Sequence, residues 1–349
     1  MAGIMDLNSP IASRRIRSYR EKKPFREPST HQGYVIDLEP DGRGDIVRTA
    51  TYFLTGSECR FTCAMCDLWK YTVDGETPSG SIPLQIQSLH KFVTQNDNSD
   101  EHSIRWLKLY NASNFFDRKN IPWEDLESIA TLCDGYERII VENHAALFAS
   151  ARVREQVLMF ADRLEGQLEI AMGLETIEPA AMNQLNKGMS IEQFQAACAF
   201  LSSHGISIRA FVLLQPPGSE PAQSTDWCVR TCEAAWNWGV TCCSVIPTRS
   251  GNGFVDQLHS SGQWFPPNVQ QLEWTMDRLV ERVSDTSAMA PSGTDRKRPI
   301  ALVDLWDWSR ISGVCDRCRT ARYDRLHQMN LQQLPRRKWT CDPCDRESD

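Results

Sequence analysis

The sequence predicts an α/β protein: a partial (βα)6 TIM-like barrel followed by a small C-terminal four-cysteine metal-binding module. Three observations carry this. Apolar strand-type runs alternate with amphipathic helical stretches from about residue 46, polar residues recur where those runs end, and paired cysteines appear where the composition changes near Trp308. Strict alternation implies a parallel sheet with right-handed crossovers, either open or closed. A chain of 349 residues has length for one such barrel and an appendage. The divisions read as a basic N-terminal extension (1–45), the barrel (46–305) and a zinc-ribbon-like module (306–349).

The extension carries Arg14, Arg15, Arg17, Arg20, Lys22, Lys23 and Arg26 with few acids between them. It reads as a solvated tail or as a nucleic-acid-binding arm. Strands are expected at 48–55, 104–110, 138–142, 167–174, 206–214 and 240–246, with a seventh at 299–304. Helices are expected near 83–95, 123–133, 151–164, 190–204, 225–238 and 268–283. The best-defined unit is 190–214. Ser190 and Gln193 have capping-box spacing, Ile191, Phe194, Cys198 and Leu201 share a helix face, and Gly205 marks the stop. Strand alternation then puts Ile206, Ile208, Ala210, Val212 and Leu214 under a helix, and Ser207, Arg209, Phe211 and Leu213 in the lumen. The stretch 284–298 reads as a linker.

With 41% hydrophobic and 24% charged residues the composition is that of a globular protein. No run approaches the roughly eighteen apolar residues of a membrane-crossing helix, and Met1 to Arg20 is basic without an apolar stretch. The expectation is a cytoplasmic protein with no membrane partner. A net charge of −7 gives no global field for nucleic acid, so any such partner must be met locally. Of thirteen cysteines, seven fall in two clusters, which points to metal rather than disulfides. The others, Cys133, Cys198, Cys228, Cys232, Cys242 and Cys243, sit in apolar patterns and read as small buried hydrophobes.

The first cluster is Cys59-Arg60-Phe61-Thr62-Cys63-Ala64-Met65-Cys66, placed just after Tyr52-Phe53-Leu54. Three thiols on one loop can hold three corners of an iron-sulfur cube, which leaves a fourth iron open to a small molecule. This spacing, after a first strand and ahead of βα units, resembles the radical S-adenosylmethionine superfamily. The resemblance implies a 4Fe-4S cluster on Cys59, Cys63 and Cys66, with S-adenosylmethionine chelated at the open iron and cleaved to a 5′-deoxyadenosyl radical. An electron donor is implied with it. One departure stands: Met65 occupies a position that is usually aromatic in the superfamily.

The resemblance also implies a cofactor-binding segment after the second strand, where Asn111 and Ser113 stand in place of the usual glycine pair and acid. A structural polar turn is the rival reading. Glu142 and Glu175 end two strands on the rim where βα folds place their chemistry. Glu175 suits a ribose hydroxyl pair and Arg209 a cofactor carboxylate, unless these two pair with each other. Glu142 suits either the cofactor, the substrate or a rim salt bridge. His144 reads as a satisfied loop residue, Asn186-Lys187-Gly188 as a surface turn or anion contact, and Gly251 and Gly253 as points of close backbone approach.

The second cluster pairs Cys315 and Cys318 with Cys341 and Cys344 across 22 residues. Four thiolates suit tetrahedral zinc or an auxiliary iron-sulfur cluster, and both stay open. Arg317, Arg319, Arg322, Arg325, Arg336, Arg337 and Lys338, interleaved with Tyr323 and Trp339, read as an RNA-binding face or a merely solvated one.

As a whole the chain resembles the branch that includes the elongator catalytic subunit and the tRNA methylthiotransferases. Within it, the chain is most similar to relatives of the archaeosine synthase radical subunit. The resemblance implies modification of a tRNA base, with tRNA and a partner enzyme subunit as partners. The alternatives are the same chemistry on a small metabolite or peptide, or a non-catalytic metal-stabilised RNA-binding protein.

Overall fold

The computed structural model describes residues 13–97, 103–289 and 298–345. Among these the strands are β1 (Gly33–Pro40), β2 (Ile46–Phe53), β3 (Trp106–Tyr110), β4 (Arg138–Glu142), β5 (Gln167–Glu175), β6 (Ser207–Leu214), β7 (Cys242–Pro247) and β8 (Ile300–Val303). They lie side by side in chain order in one sheet. β1 runs antiparallel to β2, and every later neighbour is parallel. The helices are α1 (Ser13–Ser18), α2 (Ser81–Asn96), α3 (Leu126–Leu132), α4 (Ala151–Arg163), α5 (Pro179–Leu185), α6 (Ile191–Ser203), α7 (Pro221–Asn237), α8 (Phe254–Ser260), α9 (Val269–Met289), α10 (Asp316–Gln332) and α11 (Asp342–Asp345).

The seven strands read from the sequence are present, and an eighth precedes them. β1 lies inside the segment expected to be an extension, so the sheet begins before residue 46. Its turn is built locally: Asp41 Oδ1 accepts the amides of Arg43, Gly44 and Asp45, and Gly42 and Gly44 take positive φ. The 190–214 unit forms as expected. Ser190 and Gln193 exchange both capping-box bonds, and α6 ends ahead of Gly205 at a φ of 70°. α7 starts four residues earlier than its apolar periodicity suggests, because Pro221 sits at the helix start with φ already set. Of the linker expected at 284–298, residues 284–289 instead continue helix α9, and 290–297 lie outside the described residues.

The two faces of the sheet differ as alternation requires. Ile208, Ala210, Val212 and Leu214 join one core with Phe194 and Leu201 of α6 and Cys228 and Val229 of α7. The six cysteines outside the clusters are all buried. On the concave face Val47, Trp106, Ile140 and Ala171 pack with Tyr110 and Phe211. Tyr110 of β3 meets Phe211 of β6 edge-on across two intervening strands, which requires the sheet to curl into a partial barrel.

The lumen floor is ionic. Arg209 donates through Nε to Glu169 (2.8 Å) and through Nη2 to Glu39 (2.8 Å), and Arg138 donates to Glu169 (2.9 Å). Lys108 pairs with the other side of Glu39. Arg209 sits opposite Cys242, the first residue of β7, and Arg138 opens β4, so the network lies at the amino ends of the strands. Burial works against both carboxylates, but Arg209 and its companions outweigh it and hold Glu39 and Glu169 below the ordinary range.

The C-terminal module is helical and belongs to the barrel. α10 packs against β1, β8 and α9. On β8, Ala301 exchanges two bonds with the Gln333 side chain (2.8 Å each), and Val303 exchanges two with Asn330 (2.9 Å each). Two side-chain amides thus occupy the sheet edge as a further strand would. At the other end the Arg298 amide donates to Gly42 O (3.3 Å), bringing the β1 turn to the start of β8.

Replacing Arg209 with methionine leaves Glu39 and Glu169 short of their main partner, so chemical denaturation should show a loss of about 3–5 kcal/mol. Because both carboxylates titrate lower when folded than when unfolded, the parent should hold this stability at pH 7. It should lose it progressively as pH falls below about 4.3, read as a falling denaturation midpoint.

Candidate functional site

The cysteine loop follows β2 at the carboxyl ends of the strands, and loops from across the sheet brace it. After β3, Asn114 Nδ2 donates to Cys59 Sγ (3.0 Å) and Asp117 pairs with Arg60 (2.6 Å). Asn120 Nδ2 donates to Ser57 O (3.0 Å) and Glu58 O (3.2 Å). After β4, His144 stacks on Phe61 with centroids 3.7 Å apart. After β5, Leu185 O accepts the Ala64 amide (2.8 Å) and Asn186 Nδ2 donates to Thr62 O (2.7 Å). After β7, Asn252 Nδ2 donates to Ala64 O. A loop rich in unpaired carbonyls is thereby fixed by asparagine amides, which offer two donors each.

The basic N-terminal segment is not a solvated tail over residues 13–26. Ile16 packs with Ala64, Phe254, Val255, Leu258 and Trp264. Arg17 donates to Thr62 Oγ1 (3.0 Å), Arg20 pairs with Glu58 (2.7 Å), and Lys23 and Arg26 donate to the carbonyls of Val73 and Lys70. Residues 1–12 lie outside the described part. Gly253, read from sequence as an approach point for a ligand, instead approaches this segment: a Cβ there would collide with Tyr19 O.

Burial pushes the Cys59 thiol up, Cys63 up to about 11 and Cys66 higher still, while Lys187 opposes the shift at Cys59 and Cys63. Free, these thiols keep their protons at neutral pH, so a metal must release them on binding. Lys187 itself is largely enclosed; its pairing with Glu175 (2.6 Å) outweighs the loss of solvent and holds it above the ordinary lysine range. Glu175 stands at a bulge with φ 67°, and Gly173 leaves the space in which this pair sits. Lys187 is therefore an internal partner rather than a surface residue, and Glu175 pairs with it, not with Arg209.

Asn111 is fully buried and neither of its side-chain polar atoms has a partner among the described residues; Ser113 Oγ is in the same state. Unmet buried polar atoms cost about 1–3 kcal/mol each, so this segment carries a polar deficit within the fold. Glu142 faces the same segment from β4. Its carboxylate accepts the Ser113 amide (3.3 Å), and burial pushes it up to about 7 against the neighbouring backbone amides. Ala112 takes φ 55°, a left-handed turn of the segment beside this carboxylate. Arg209, sealed in the lumen floor, is remote from this group by strand position. His144 is satisfied on both nitrogens, with Nδ1 accepting from Ala146 (3.2 Å) and Nε2 against Lys187 O (3.0 Å). Burial lowers it to about 3, which keeps it neutral.

Among the described residues one group brings three or more metal-ligand atoms within 4.8 Å of one another: Cys315, Cys318, Cys341 and Cys344. The loop thiols are not gathered round a point in this way; sulfurs on separate irons of a cube stand farther apart than sulfurs on one ion. Much of the basic character near the four cysteines is spent internally. Arg322 pairs with Glu273 and Asp345, Arg325 with Asp277 and the carbonyls of Arg336 and Arg337, and Arg319 with the carbonyls of Trp308 and Val314. Arg317, Arg336, Arg337, Lys338 and Trp339 stay exposed.

No family model matches the chain, and no curated protein matches it. Among solved structures it is similar to SuiB of Streptococcus suis bound to S-adenosylmethionine, at 10% identity and TM-score 0.46, over 71% of this chain and 48% of that one. It is also similar to an N-terminally deleted archaeal Elp3 of Methanocaldococcus infernus (11%, TM-score 0.45, 72% and 59%). A third likeness is to a radical SAM methyltransferase from Sphaerobacter thermophilus (12%, TM-score 0.41, 65% and 70%). The chain spans about half the length of the SuiB structure.

Gly253→Ala should unseat the N-terminal segment, since a side chain at that φ is strained by about 1–2 kcal/mol before any collision with Tyr19. Limited trypsinolysis at Arg17 and Arg20 should then run roughly tenfold faster, with cleavage within the barrel unchanged.

Proposed function

We propose that this chain is a radical S-adenosylmethionine enzyme with a 4Fe-4S cluster on Cys59, Cys63 and Cys66, acting on a base in transfer RNA. One observation carries the reading: a C-x3-C-x2-C loop follows β2 at the rim and is braced by the loops after β3, β4, β5 and β7. The donor set fits the group. Three thiols leave one iron without a protein ligand, and the unpartnered atoms of Asn111 and Ser113 offer donors and acceptors to the amino-acid end of the cofactor.

When bound, the cluster supplies the electron that cleaves S-adenosylmethionine and so a hydrogen-abstracting deoxyadenosyl radical. The chain's own residues hold, tune and shield. Asn114 aims an amide at Cys59 Sγ, a bond that favours the thiolate and raises a cluster's potential. Lys187 places positive charge near Cys59 and Cys63. Phe61 on His144 covers one side of the loop, and residues 13–26 cover another. Glu142 fixes the backbone that presents Asn111 and Ser113. The Arg209 fork is filled by two carboxylates, so it has no part in this reading.

The exposed strip Arg336, Arg337, Lys338 and Trp339 supports an RNA substrate through phosphate and base-stacking contacts. The internal pairing of Arg319, Arg322 and Arg325 favours a second reading, the same chemistry on a small metabolite or peptide. Both need an external electron donor, and the tRNA reading adds a partner enzyme subunit.

Anaerobically reconstituted protein should release 5′-deoxyadenosine from S-adenosylmethionine under a strong reductant. The Cys59/Cys63/Cys66 triple alanine variant should release none, and equal release from both would defeat the proposal. RNA affinity should fall steeply with salt and be lost when Arg336, Arg337 and Lys338 become alanine. Absence of RNA binding at moderate salt would leave the small-substrate reading.

A further inference from the structure

The four C-terminal sulfurs form a group separate from the cysteine loop, and their spacing discriminates between occupants. Cys315 and Cys318 Sγ are 3.8 Å apart, Cys315 and Cys341 3.7 Å, and Cys318 and Cys344 3.8 Å. A tetrahedron with metal-sulfur bonds of 2.3 Å has edges of about 3.8 Å. An auxiliary cluster would place each sulfur on a different iron and spread the set. We propose that these thiolates hold one thiophilic divalent ion, zinc by its preference for four sulfurs, and that this ion locks α10 into the gap between the edges of the open sheet.

The second half follows from what α10 does and what holds it. Cys315 and Cys318 stand at its start, and residues after Gln333 return along it, with Arg325 binding the carbonyls of Arg336 and Arg337, to deliver Cys341 and Cys344. The returning knuckle is tied to α9: Asp345 accepts the Cys341 amide (2.6 Å) and pairs with Arg322 (2.6 Å), and Gln270 donates to Cys344 O (3.1 Å). The α9 to α10 contact includes buried ion pairs of Arg322 and Arg325 with Glu273 and Asp277. Such pairing is a weak source of stability on its own. Along its other side α10 presents Asn330 and Gln333 to β8 and packs on β1. An ion bound in the folded state alone would stabilise this arrangement by mass action.

The proposal is independent of the radical chemistry, and one experiment separates them. Metal and sulfide are counted on the full-length parent and on the Cys59/Cys63/Cys66 triple alanine variant. The expected result is about one zinc per chain in both, with iron and sulfide confined to the parent. Replacement by Co(II) should give the strong visible bands of a tetrahedral tetrathiolate. Iron with sulfide retained in the triple variant, or no metal at all there and no zinc in the parent, would overturn the proposal. For the locking role, amide exchange is followed in the parent with and without a zinc chelator. Exchange at 300–303 should rise about tenfold on zinc removal while β3 to β5 stay protected. Unchanged exchange at 300–303 after verified zinc loss would refute it. An Asn330→Leu, Gln333→Leu variant should keep its zinc yet show the same faster exchange, which separates loss of the edge contact from loss of the ion.

Discussion

Arg209 reaches from β6 to Glu39 on β1, two strands that are far apart in the sheet, and this bridge is possible only if the sheet is bent round on itself. The bend gives the molecule an inside. It brings the ends of β3, β4, β5 and β7 round one opening, and so lets asparagines from loops far apart in sequence reach a single cysteine-bearing turn. The charges that hold the bend are sealed at the floor, and the opposite end is left to aromatic and polar residues. The ionic floor of the lumen and its thiol-bearing end are kept apart by the Tyr110 and Phe211 layer.

A sheet that bends without closing has two free edges. Here one is short and blunted by amide side chains from a helix, and the other is a hairpin strand whose turn touches the start of β8. The same helix carries half of the four-thiol group. Arginines that give the C-terminal sequence its basic look are the means by which this helix meets its neighbour, which explains why a charge count overstates the charge available to a partner.

The parts of the fold legible in the sequence were those written locally. The 190–214 unit carries its cap, its apolar face, its glycine stop and its strand alternation within a short stretch, and each formed as read. Both cysteine clusters were visible from spacing alone, although a zinc-ribbon-like form was expected where a helix stands. What was missed depends on partners distant in the chain. β1 is half exposed and its alternation has meaning only against β2. Arg209 could be placed in the lumen by parity, but parity does not say at which depth or opposite which acid. Glu175 found Lys187 because a bulge and a glycine turn the two together, a geometry that no side-chain pattern encodes. The seating of residues 13–26 rests on Gly253 and Trp264, far along the chain.

That last dependence has a consequence for biogenesis. Residues 13–26 find their resting place only once residues near 264 have emerged from the ribosome, so they are among the late pieces to dock. Until then the thiol-bearing turn is uncovered on that side, and the interval of translation between the two is a window in which its sulfurs are accessible.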